Sequence, residues 1–202
     1  MVISCFLPRI NFFNGRQGRA RNPQHFIHVS VVQHSLKLRL NMKALILVDI
    51  QNGLTKKKTL YNEKLFINSV NSAIKAFRNL KLKVVFIQHN NHQLKIGTYD
   101  WQIDDRIDRL ENDIAIQKNH GNAFQNTDLK QILIEFNIDS IVIGGLVSHG
   151  CVKATCLGGL AEGFEIKLLR NGHTSWNKDA QAKIDDTETE LLNAGIHTIE
   201  FS

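Results

Sequence analysis

At 202 residues and 43% hydrophobic content, the chain can bury one good core and needs no second domain to do so. No apolar run approaches the ~20 residues that cross a bilayer, and 13 Gly with 2 Pro exclude a collagenous or low-complexity chain, so a soluble, cytoplasmic, enzyme-like domain is expected. The net charge of +6 gives no nucleic-acid footprint: Arg9, Arg16, Arg19, Arg21, Lys37 and Arg39 all precede Met42 with no Asp or Glu among them, which leaves 19 Lys+Arg against 19 Asp+Glu beyond it.

Residues 1–41 show neither helical nor strand periodicity and stop before a methionine that opens a strong strand. They read as a dispensable basic extension; an organellar targeting peptide is the alternative, since the segment is Arg-rich and acid-free, though poor in Ser. The folded domain is expected over 42–202.

From there two kinds of segment alternate. Residues 43–50 (KALILVDI), 83–89 (KVVFIQH), 112–117, 139–145 (DSIVIGG), 165–170 and 196–201 are short, apolar and rich in β-branched residues, which predicts strands. Residues 62–80, 126–137, 150–163 and 178–194 carry apolar positions at helical spacing. Near-continuous apolar strands separated by helices predict an α/β fold, a three-layer α/β/α sandwich around a mostly parallel six-stranded sheet.

Ligands of such sheets bind beyond the carboxyl ends of the strands. The polar residues there are Asp49, Gln51 and Asn52 after strand one, Gln88, His89, Asn90 and Asn91 after strand two, and Lys118 after strand three. Strand four runs into GGLVSHGCV, with Ser148, His149 and Cys151 at the turn before a helix. The three cysteines form no CxxC pair and no zinc-type spacing, so reduced thiols are expected; Cys151 and Cys156 fall on different faces of one predicted helix. Cys151, near a helix N-terminus, is the candidate nucleophile, its thiolate favoured there, with Lys118 supplying positive charge and Asp49 taking the proton. Each residue has a plainer reading as well: a packed cysteine, a capping aspartate, a solvated lysine. Spacing alone does not decide between them.

The segments LILVDIQNG, IAIQKNHGNAFQNTDL and IVIGGLVSHGCVKATCLGGLAEGFEI resemble the three motif stretches of the isochorismatase-like cysteine hydrolases, which include nicotinamidases and carbamoylsarcosine-type amidohydrolases. The resemblance runs from about Met42 to the C-terminus. It implies catalytic roles for Asp49, Lys118 (ahead of Ala123, Phe124, Thr127 and Leu129) and Cys151 (in the stretch Gly145 to Val152). It also implies a cis peptide at Leu146–Val147, oxyanion-hole donors at the N–H groups of Val147 and Cys151, and Trp101 near the substrate mouth. Gln51, His89 and Ser148, at the same strand ends, are expected to contact substrate. Nicotinamidases hold a metal through an Asp-x-His element after strand two; Gln88-His89-Asn90-Asn91 lacks it, so no metal and no cofactor is expected.

The implied activity is thioester-mediated hydrolysis of a small amide or carbamoyl C–N bond, in a homo-oligomer with no nucleic-acid or membrane partner. The alternatives are a vinyl-ether-cleaving isochorismatase, a nicotinamidase, a catalytically idle binding domain, and a thiol-transfer protein using Cys151 and Cys156.

Overall fold

Every residue of Ala44–Val48 is buried, and these five form β1. A strand apolar on both faces cannot lie at the surface of a sheet, so layers must cover it on both sides. The computed structural model describes residues 44–176 and 178–201; the basic extension and its alternative readings lie outside the described residues. Strands β2 (Lys83–His89), β3 (Ile114–Lys118), β4 (Ser140–Leu146), β5 (Glu165–Thr174) and β6 (His197–Ile199) complete the sheet. Its order is β3-β2-β1-β4-β5-β6, and all six strands run parallel. The helices are α1 (Asn52–Thr55), α2 (Glu63–Asn79), α3 (Leu129–Glu135), α4 (Lys153–Ala161) and α5 (Ala180–Asn193).

Alternation along β1 divides the core in two. Ala44, Ile46 and Val48 join Leu129 and Leu133 of α3, Cys156 of α4 and Leu191 of α5. Leu45 and Leu47 face the other way, onto Phe66, Val70, Ile74 and Phe77 of α2. The chain reverses its direction of winding at β1, whose neighbours are β2 and β4, and the crevice of a doubly wound sheet opens at such a point. Among the described residues no helix is long and apolar enough to cross a membrane.

Three departures from what periodicity predicts bear on the sheet and the turn beside it. β5 continues to Thr174 through Arg170-Asn171-Gly172, which reads as a turn because Asn-Gly favours positive φ. The chain uses that property inside the strand: Asn171 has φ 57, and the β4–β5 register jumps from Ile143–Leu168 to Gly145–His173 across a bulge. The predicted helix 150–163 is α4 preceded by a π-helical turn, Ser148–Val152, with Gly150 at φ −116, ψ −112. The third helix starts at Leu129 rather than 126, because Thr127 turns back: its hydroxyl donates to Ala123 O and accepts from Leu129 N.

The segment from Asn90 to Asp113 joins β2 to β3 and is held to the end of β1 by main-chain bonds. Asn52 N donates to Gln102 O, Gly53 N to Asp100 O and Asp104 N to Ile50 O, each at 2.9 Å. Asp104 anchors it further. Burial alone would raise the Asp104 carboxyl, but the Arg106 guanidinium, bonded at 3.0 and 2.7 Å, holds it down at about 2 against an ordinary 3.8. A depressed folded-state value means the stabilisation is present above about pH 4 and is lost as pH falls towards 2. The stability gap between the native protein and Asp104→Asn is expected to shrink by about 2 kcal/mol between pH 5 and pH 2, read from urea midpoints; a constant gap would remove this role.

Candidate active site

Asp49 follows β1 directly and sits at φ 56, a left-handed conformation that an aspartate tolerates better than most residues. Its N–H donates to Ile87 O at 2.9 Å, and its own carbonyl accepts from Gln51 N at 2.9 Å. The residue is therefore fixed in a tight reversal at the sheet's carboxyl edge, almost wholly buried.

Lys118 ends β3, in register with His89 at the end of β2. Its side chain is fully buried, and its ammonium has three N–H groups to satisfy. It meets three acceptors: Asp49 Oδ2 at 2.7 Å, His89 Nδ1 at 3.0 Å and His120 O at 3.0 Å. Burial lowers the proton affinity of His89, and the neighbouring Lys118 charge lowers it further, so the ring is neutral and Nδ1 accepts. Asp49 Oδ1, also buried, has no hydrogen-bond partner of ordinary geometry.

The third strand end is built around glycines. Gly145 pairs with Val48 and has φ 124; a Cβ there would collide with the Val48 carbonyl oxygen and lie 2.6 Å from its nitrogen. The Leu146–Val147 peptide is cis. Val147 O then accepts from Gly150 N at 2.9 Å and Val152 N at 3.3 Å, which closes the π-helical turn. Cys151, half-buried in that turn, is a free thiol. Its Sγ, an Asp49 carboxylate oxygen and a His89 ring nitrogen all lie within 4.8 Å of one another.

The electrostatics of the thiol differ from the sequence-based expectation of a thiolate favoured by a helix N-terminus. Burial is the largest influence and the Asp49 charge adds to it; Lys118 opposes both, and the thiol is pushed up to about 11. The turn is π-helical rather than the first turn of α4, and a carboxylate stands closer to the sulfur's chemistry than any helix dipole. Asp49 is also raised, by burial first, with Lys118 and then the Cys151 thiol pulling it back. Each group is thus poised to exchange a proton with the other.

The other residues singled out in the sequence take varied places. Gln51 is wholly buried: its Nε2 donates to His89 O at 3.0 Å and Trp101 O at 2.8 Å, and its Oε1 accepts from His89 N at 2.9 Å. Ser148 is also wholly buried, its hydroxyl 2.9 Å from His173 Nδ1. Trp101 is half-buried, with an indole N–H that has no partner. Cys156 lies in the core, where burial pushes its thiol up. Periodicity did not reveal the Lys118–His89 contact, nor His173, which sits inside an apolar strand with no motif around it.

Asp49, His89 and Cys151 also present a donor set of the kind that holds a metal ion. It does not fit one well: the Lys118 ammonium bonds to both Asp49 Oδ2 and His89 Nδ1, and a fixed positive charge there opposes a cation.

Residues 43–190 match the family described as "Isochorismatase domain". The chain is 33% identical over 104 residues to N-carbamoylsarcosine amidase of Arthrobacter sp, covering 48% of this chain and 39% of that relative, so it spans well under half that protein's length. It is 27% identical over 152 residues to the Bacillus subtilis isochorismatase family protein YddQ, covering 72% and 84% of the two chains. A solved isochorismatase family protein superposes with a TM-score of 0.74 at 25% identity, over 79% of this chain and 98% of that one.

Proposed function

The chain belongs to the isochorismatase family, and on that premise we propose that it is a cysteine hydrolase of a small amide or carbamoyl C–N bond, with Asp49, Lys118 and Cys151 as its catalytic residues. The observation that carries this reading is the division of labour at Asp49. One oxygen is tied to the buried Lys118 ammonium, while the other is buried and unpartnered beside a half-exposed thiol.

The reaction follows from those positions. The thiol is protonated at rest, so Asp49 Oδ1 takes its proton as sulfur attacks the carbonyl carbon. Lys118 offsets the burial that would otherwise leave Asp49 protonated and unable to act. The tetrahedral oxyanion rests on the N–H groups of Val147 and Cys151. Asp49 returns the proton to the departing nitrogen, which leaves as ammonia or an amine, and a thioester remains on Cys151. Water, giving a proton to Asp49, attacks the thioester and releases the acid and the thiol. One water is consumed for each C–N bond broken. His89 and the free Trp101 N–H are the side chains this reading assigns to substrate; Gln51 holds the backbone that carries them, while Ser148 bonds instead to His173. A thiol beside the carboxylate favours this chemistry over vinyl-ether hydrolysis, which needs an acid but no nucleophile.

The test is a panel of small primary amides and carbamoyl compounds assayed for ammonia release, with rapid quenching and mass analysis of the Cys151 peptide. An acyl adduct on Cys151 that forms and decays with turnover is expected. Ammonia release with no adduct at any time, or no release from any compound, would overturn the assignment.

A further inference from the structure

Beside the proposed site lies a second chain of polar groups that the hydrolysis does not use. Ser148, the first residue of the π-helical turn, is buried with its hydroxyl 2.9 Å from Nδ1 of His173, itself buried at the end of β5. The other ring nitrogen, Nε2, is 3.3 Å from a carboxylate oxygen of Glu188 on α5. Three elements, the turn, the strand and the helix, thus meet through one imidazole.

We propose that Glu188, His173 and Ser148 form a strut that fixes the turn carrying Cys151, which makes His173 a positioning residue for the amide chemistry. The inference rests on the functional reading above. The order serine, histidine, acid is that of a nucleophilic triad, but Ser148 has no exposure at all and so acts on the backbone rather than on a substrate.

The turn needs such a support. Two of its main-chain bonds share the carbonyl of Val147, its far end closes through Lys153 N–H on Ser148 O and Gly150 O, and Gly150 departs from helical geometry in its middle. Cys151 must face Asp49 and the N–H groups of Val147 and Cys151 must face the oxyanion, and the Ser148 hydroxyl is a side-chain tie from the turn to β5. Glu188 beside Nε2 selects the tautomer with the proton on that nitrogen, which leaves Nδ1 to accept from the Ser148 hydroxyl. The His173 ring beside it holds the Glu188 carboxyl below its ordinary value, which favours the charged form, although the 3.3 Å approach to Nε2 is a close contact rather than an aligned hydrogen bond.

The bulge explains how a histidine comes to be there. The register slip across Leu169–Gly172 places His173 opposite Gly145, the residue immediately before the cis Leu146–Val147 peptide. An unbulged β5 would bring Arg170 to that row instead.

The test compares Ser148→Ala, His173→Leu, His173→Asn and Glu188→Gln in the full chain. Each is read by kcat and KM on the best amide of the panel, and by iodoacetamide labelling of Cys151 and Cys156 with peptide mapping. Ser148→Ala and His173→Leu are expected to lower kcat about 10- to 100-fold, the effect of losing one buried hydrogen bond at a reacting centre, with KM changed much less. Glu188→Gln should fall in between. His173→Asn keeps a polar group near the Nδ1 position and should recover part of the loss. Because a loosened turn carries the thiol away from Asp49, Cys151 should label several-fold faster in the impaired variants while Cys156 stays protected. Labelling of both cysteines marks general unfolding of that variant, and the smallest change, Ser148→Ala, then decides. Ser148→Ala and His173→Leu with kcat within twofold of the native protein and unchanged Cys151 labelling would overturn the strut. If the native protein cleaves no amide, the functional reading fails separately, and the labelling contrast alone decides the strut.

Discussion

Cys151→Ala is expected to lower amide turnover by at least about 10³-fold, while Cys156→Ala keeps most of it. The two thiols are five residues apart and free, but their surroundings differ. Cys151 shares its space with the Asp49 carboxylate; Cys156 is wholly buried in the same hydrocarbon core as Phe124 and Ile166. Removing a nucleophile deletes the acyl-enzyme route, whereas trimming Cys156 removes one packed sulfur at a cost in stability of about 1–2 kcal/mol. The Cys151 thiol should also ionise late. Its folded value of about 11, against 9.0 ordinarily, means that iodoacetamide labelling should still be accelerating above pH 9. Asp49→Asn, which removes the adjacent negative charge, should shift that rise to lower pH. A near-normal rate from Cys151→Ala, or faster labelling of Cys156 in the native protein, would rule Cys151 out as the nucleophile.

Gly145→Ala is expected to yield little folded protein. A positive φ of 124 is one that L-residues with a Cβ rarely adopt, and the added carbon would overlap the main chain of Val48 on the neighbouring strand. No rotamer relieves this, since both partners are backbone. The strands would have to part at the point where β1 delivers Asp49. Strain and overpacking together come to at least about 3 kcal/mol, a large share of the ~5–15 kcal/mol that holds a domain folded. Gly121→Ala is the matched control: its Cβ would meet only Ala154, at 3.8 Å. Soluble yield and thermal midpoint should fall sharply for Gly145→Ala and stay near native for Gly121→Ala. Equal midpoints would mean that the sheet edge can yield where the geometry says it cannot.

The contrast between what was legible in the chain and what was not has physical causes. β1, β2 and β4 are buried on both faces, so their composition announces a covered parallel sheet without any periodicity to interpret. Asp49 and Lys118 stand out as polar residues at strand ends, but a capping aspartate and a solvated lysine look the same there, and the motif resemblance is what singled them out. β5 was read short at residue 170, because Asn171-Gly172 is a turn signal and nothing local distinguishes a turn from a bulge that the neighbouring Gly144 and Gly145 accommodate. The state of the thiol was misjudged for a related reason: position at a helix start is visible in sequence, while burial and a carboxylate arriving from β1 are products of the fold. The partner of His89 and the place of His173 depend on register between strands far apart in the chain, which pattern alone does not encode.

The Gln51 amide contacts only main-chain atoms of the residues it spans, the carbonyl and N–H of His89 and the carbonyl of Trp101. Gln88 also donates to the Trp101 carbonyl, at 2.9 Å. The stretch from His89 to Trp101 is therefore fastened at its two ends by peptide groups, independently of the side chains displayed between them. Mutational drift at His92, Gln93, Lys95 or Ile96 can alter the surface the segment presents without moving where it sits. On the proposed reading, a fold that fastens a substrate-facing loop in this way can change its preferred compound by successive single replacements, each inherited on an unchanged reaction centre.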